Sequence, residues 1–248
     1  MKTRTKAGVL TSAFIYKFSP ACRLVQFRAV PQLAHSKLQS LKRCLDCQLT
    51  HLTNMKVLGY SISGPDNDSY MNPDQYEVNI CNCLDFVKNR QLHLNPNFKL
   101  TKKTYDISYT YDSYLIVSER FMRFCIENNY DGVSFFPIPT YEKKFLMLVA
   151  NTITFDTTRR KTNFLEFNSV CNEYNEVVGA TPVCLSDNSI LSDGFYRTDI
   201  EFGRGYAKDA IILVGLETGA KLKAEKFKGL YLEKILDKYE WEGNSDLH

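Results

Sequence analysis

The sequence predicts an α+β fold: a mixed sheet with short helices, containing one strand–helix–strand unit written twice, at about residues 114–138 and 210–235. Three observations support it. YLIVSERFMRFCIENNYDGVSFFPI, Tyr114 to Ile138, aligns without a gap on the stretch that ends at Ile235, with an offset of 97 residues. Val117 falls on Val214, Tyr130 on Phe227, Gly132 on Gly229 and Ile138 on Ile235. Each copy opens on a short apolar run, Leu115–Val117 or Ile211–Val214, the length of a buried strand and too short for a helix. Each copy then places a glycine where a helix must stop and the chain turn back into a second apolar run.

MKVLGYSIS, from Met55, begins the body with a first strand. SGPDNDSYMNPDQY predicts a loop or meander, and Asp85-Phe86-Val87 opens a short element. Lys102 to Tyr114 carries a stripe of Tyr105, Asp106, Tyr109, Tyr111 and Asp112, whose partial alternation suits an edge strand or an extended loop. In the first repeat Ser118 caps the helix and Glu119 sits in its first turn. Phe121 and Phe124 or Cys125 form the helix's apolar face. FLMLVANTITFD predicts one strand and a turn, and Arg159-Arg160-Lys161 a solvated turn. A strand is expected around Ser189 to Tyr196, followed by a glycine-bearing loop at Gly203–Gly205. The helix of the second repeat is weaker, resting on Ala220, Leu222 and Ala224. The aromatic before each glycine, Tyr130 or Phe227, is expected to fasten its own helix onto the sheet.

The charge is uneven. Residues 1–54 hold nine Lys/Arg against one acid, Asp46, a net of +8; residues 55–248 hold 22 against 27, a net of −5. The overall +3 therefore says nothing about nucleic-acid binding by the body. The basic leader also holds only one of the fifteen tyrosines. It is expected to lie outside the core, as upstream sequence, a targeting segment or a basic arm. Residues 55–248 are then a single domain. No apolar stretch approaches the length of a membrane span.

Eight cysteines include Cys44 and Cys47 in a CxxC, and Cys81 and Cys83 in a CxC. The unequal spacing departs from a zinc-knuckle pair, so no metal or cofactor is expected, and reduced thiols are the simpler reading. HExxH, GxSxG and phosphate-loop motifs are absent. His93 is the one histidine inside the body, and nothing in its spacing from Cys171 supports a nucleophile–base pair. Asp193, Asp199 and Glu201 with Arg197 form either a carboxylate site or a set of exposed loop charges.

The two repeats, with FYRTDIEFG between them, resemble the C-terminal region of immunity-type proteins of bacterial polymorphic toxin systems. They are similar in plan to relatives of the paired-CxxCG family that lack those motifs. The resemblance covers roughly Tyr105 to Leu236. Where a CxxCG would stand the chain has Cys171-Asn172-Glu173-Tyr174, so no metal site carries over; Arg197 and Thr198 do, as family-like positions. The resemblance implies a cytoplasmic, non-catalytic protein that binds a cognate toxin domain, with no membrane or nucleic-acid partner. The expected contact residues are Tyr105, Asp106, Tyr109, Tyr111 and Asp112, then Asp193, Arg197, Asp199 and Glu201. An enzyme with a site near residues 193–205, or a nucleic-acid binder using the leader, is the alternative.

Overall fold

In the computed structural model, residues 55–73 and 87–239 are described. The leader and the cysteines of the CxxC and CxC lie outside them. The described residues belong to one unit, Asn54–His248. They form an α+β fold with two sheets.

The larger sheet is mixed. It contains β1 (Val57–Ser63), β6 (Thr152–Ile153), β7 (Asn163–Asn168), β8 (Glu173–Val178), β9 (Phe195–Arg204), β10 (Asp209–Val214) and β11 (Tyr231–Leu236). Its order is β11-β1-β10-β9-β8-β7, with β6 pairing parallel to β9. The smaller sheet is antiparallel, in the order β2 (Ile107–Tyr109), β3 (Leu115–Ser118), β5 (Lys144–Val149), β4 (Val133–Pro137). The helices are α1 (Glu119–Glu127), the single turn α2 (Thr157–Arg160) and α3 (Leu216–Glu225).

The repeat is real at the level of backbone. Helices α1 and α3 start 97 residues apart. Asn129 and Lys226, also 97 apart, both take left-handed backbone, with φ of 53° and 52°. Gly132 and Gly229 follow at 76° and 84°, a region side chains disfavour, which is why glycine marks both turns. In each copy the two strands run parallel and an antiparallel strand lies between them. That strand is β5, from the following hairpin, in the first copy, and β1, from the start of the body, in the second. The copies therefore sit in different sheets and do not pair across one.

They meet through a shared core. Phe227, before the second glycine, packs on α1 of the first copy, 4.9 Å from Phe121 and 5.4 Å from Phe124 between ring centroids, with Arg120 stacked above it at 4.5 Å. Tyr130 does the converse: it lies close to Thr218 and 5.7 Å beneath the Lys221 ammonium of α3, and 5.1 Å from Phe195. Tyr130 also packs on its own helix, 5.9 Å from Phe124, so the cross-copy contacts form a reciprocal clasp beyond the fastening expected within each copy.

One difference between the copies has a steric cause. Ser118 Oγ accepts from the Phe121 amide at 3.2 Å, as a cap should. Its counterpart is Gly215, where a Cβ would stand 1.9 Å from the Ser192 carbonyl oxygen. Close approach of the 190s segment excludes a capping side chain there.

Candidate functional site

The expected loop at residues 193–205 is mostly strand. β9 runs from Phe195 to Arg204, so the strand expected around Ser189 to Tyr196 overlaps it only at its last two residues; Tyr196, Ile200 and Phe202 supply alternate apolar side chains to a second core behind the sheet. On the other face Phe195 enters the central core, and Arg197, Asp199 and Glu201 continue the line. A bulge in β9, between its pairings with Ala210 and Ile212, draws Arg197 and Glu201 together at 2.7 Å. Thr198, fully buried, fastens that bulge: its hydroxyl donates to the Ile200 carbonyl at 2.7 Å and accepts from the Ile211 amide at 3.0 Å. The two family-like positions are thus accounted for by local structure.

Beside this strand a cavity of about 260 Å³ is lined from both sheets, including Arg90, Gln91, Ser134, Arg197, Glu201 and Asp209. A shallower pocket of about 440 Å³ adjoins it, sharing Lys88, Arg197 and Glu201 and adding Asp199 and Lys208. Arg90 is buried, donating to the carbonyls of Asp112 at 2.7 Å and Lys208 at 2.6 Å, with its guanidinium 4.9 Å from the Tyr114 ring centre. Asp209, on the first position of β10, has its carboxyl pushed up to about 6 by burial, against the opposing pull of Arg90. Burial, and then the Asp209 carboxylate, raise the Tyr109 hydroxyl well above the usual tyrosine value. A carboxyl that titrates near neutrality beside a buried cation is a group able to exchange a proton. Sequence reasoning passed over both Arg90 and Asp209; nothing in their local spacing marks them.

The tyrosine–aspartate stripe is not a surface. Asp112 is 1% exposed, and its two oxygens accept the Met71 and Asn72 amides, both at 2.9 Å. Asp106 accepts from Ser118 Oγ at 2.7 Å and from the Lys228 amide at 2.9 Å, tying the cap of the first repeat to the turn of the second. Tyr105 is half-buried against Gly229, and Tyr109 packs on the central core. Tyr111 alone is well exposed, donating to Asp68 at 3.1 Å. The carboxylates satisfy backbone amides of turns far along the chain, so they face inward. Asp193 is separate from the cavity. It accepts from Thr218 Oγ1 and, at 3.2 Å, from Lys221; burial works against its charge, but these bonds outweigh it and hold the carboxyl below its usual value. Asp199 is exposed and accepts the Phe155 amide at 2.8 Å. Of the nine expected contact residues, only Arg197, Asp199 and Glu201 come together.

Among the described residues no cluster of three or more His, Cys, Asp or Glu is placed to hold a metal ion, and no helix is long and apolar enough to cross a membrane. Cys125 and Cys184 are buried, the Cys184 thiol donating to the Pro182 carbonyl at 3.7 Å, and burial raises the Cys125 thiol to about 12. Cys171 is disulfide-bonded, contrary to the reduced-thiol expectation, which also removes it as a nucleophile for His93.

Most of the exposed large apolar side chains among the described residues lie elsewhere, on the β7–β8 hairpin. Tyr174 stands 5.2 Å from Phe164 and 5.0 Å from Phe167, and all three are open to solvent. Phe164 and Tyr174 also form one wall of the shallower pocket. No family model matches the chain, and no curated protein matches it.

Proposed function

We propose that this chain is an immunity-type protein, which binds a cognate toxin domain of a bacterial polymorphic toxin system in a stoichiometric complex and neutralises it without turnover. The sequence resemblance of the two repeats suggests the class. The observation that carries the reading is the aromatic surface of the β7–β8 hairpin. Large apolar side chains gathered on one exposed element mark a protein-binding surface rather than a solvated one. The buried Arg90 and the Arg197–Glu201 pair, by contrast, are engaged in structural contacts.

The test is co-purification with the toxin domain encoded beside this chain, followed by calorimetry. A one-to-one complex that protects cells from the toxin supports the reading; no binding to any neighbouring toxin domain removes it. The proposed compartment is the cytoplasm. Thiol labelling of protein taken directly from cells tests it, since a reducing compartment keeps cysteines as thiols.

A second reading, an enzyme, is favoured by Asp209 in its cavity beside Arg90. A panel of small polar metabolites, screened for thermal shifts that Asp209→Asn abolishes, would support it; an unresponsive panel would not.

A further inference from the structure

The β7–β8 hairpin carries six of the eleven exposed large apolar side chains among the described residues: Phe164, Leu165, Phe167, Val170, Tyr174 and Val178. Phe167 is 54% exposed and Val170 85%. β7 is also the end strand of its sheet, and its outer edge pairs with no strand among the described residues. Edge strands are commonly guarded by charged side chains, lysine above all, by proline, by a bulge or by a covering element. NFLEFN has neither lysine nor proline, and its one charge is Glu166.

Within β7, Glu166 takes left-handed backbone, with φ of 56°. For a non-glycine residue this costs of order 1 kcal/mol or more. The conformation is held by Asn175 Nδ2, 2.6 Å from the Glu166 carboxylate, and by Arg204 Nη2 at 3.0 and 3.2 Å. Strict alternation would put Phe164 and Phe167 on opposite faces; with the kink between them both reach Tyr174. The hairpin from Asn163 to Val178 contains Glu166, Glu173 and Glu176 and no lysine or arginine. Two of the three acids hold cations supplied from outside it, Arg204 at 3.0 Å and Lys88 at 3.5 Å, in exposed pairs that another cation can replace at little cost.

We propose that the free edge of β7 takes an extended segment of a partner protein, with basic and apolar residues in alternation, as an added strand. Backbone hydrogen bonds then complete the sheet, the apolar residues cover Phe164, Phe167 and Tyr174, and the basic residues face the glutamates. A second copy of this chain fits less well, because an antiparallel β7–β7 pairing brings Glu166 toward its own equivalent. The inference rests on the protein-binding reading above and specifies its surface and the partner's chemistry.

The probe is a phage-displayed library of random peptides of about ten residues, enough to span a strand of ordinary length, selected against the full chain. Selected peptides should alternate Lys or Arg with apolar residues. They should protect β7 amides from hydrogen exchange and bind less tightly as salt rises. Phe167→Ser should weaken them about tenfold or more, as loss of an exposed aromatic anchor does. The triple substitution Glu166→Gln, Glu173→Gln, Glu176→Gln should reduce both affinity and its salt dependence. Peptides without basic bias, binding indifferent to both variants, or self-association through β7 would overturn the inference. A neighbouring toxin domain that binds but ignores both variants removes this inference and leaves the immunity reading standing. Hairpin-binding peptides without any toxin binding do the reverse.

Discussion

Replacing Asp209 with asparagine keeps the shape of the side chain and removes its charge. The carboxyl sits at about 6 in the folded protein against an ordinary 3.8, with burial as the first cause. The folded state therefore holds this proton more tightly than the unfolded chain does. That contribution to stability is complete below about pH 4, fades as pH rises through 6, and is gone at neutrality. The shift corresponds to about 3 kcal/mol as an upper figure. Relaxation around the ionised group and the nearby Arg90 reduce what is measurable to about 1–3 kcal/mol. Arg90 is not orphaned by the change, because its donors go to the carbonyls of Asp112 and Lys208. Urea unfolding of wild type and Asp209→Asn, at steps from pH 4 to 7.5, isolates this group from the other carboxylates by difference. The variant should gain on the wild type with rising pH and level off above about 6.5. A difference that is flat with pH would show that the carboxyl is not raised, and an asparagine variant that loses stability most at pH 7 would show that Asp209 is instead held as an anion by Arg90.

Phe227→Ala, which opens the clasp between the two repeats, should cost about 3–5 kcal/mol in the same unfolding assay; a loss under 1 kcal/mol would mean that the repeats do not depend on each other. Asp112→Ala leaves the Met71 and Asn72 amides without acceptors and should cost about 2–4 kcal/mol, whereas Tyr111→Phe, at an exposed hydroxyl, should change melting little. Gly215→Ser should lower stability by 2 kcal/mol or more, although serine is the better cap, because its Cβ meets the Ser192 carbonyl; a stabilised variant would refute the steric account.

The sequence by itself determined the elements whose signals are local. The 97-residue repeat, the Ser118 cap and the turn glycines Gly132 and Gly229 depend on contacts within a few residues and on backbone sterics, so they are legible in one dimension and recur in the structure. The partners of those elements are not local. That β5 lies inside the first repeat and β1 inside the second, or that Phe227 crosses to α1, depends on which apolar faces meet in three dimensions. The same holds for charge. Asp112 and Tyr111 are neighbours in a polar stretch and look alike as surface residues. The first is turned inward by amides about forty residues back, while the second stays in solvent. β9 and its bulge set Arg197 beside Glu201 and leave Asp193 to α3. The cavity at Asp209 and the exposed rings of the β7–β8 hairpin exist only once both sheets are in place, because burial is a property of the packed chain and has no counterpart in the order of its residues.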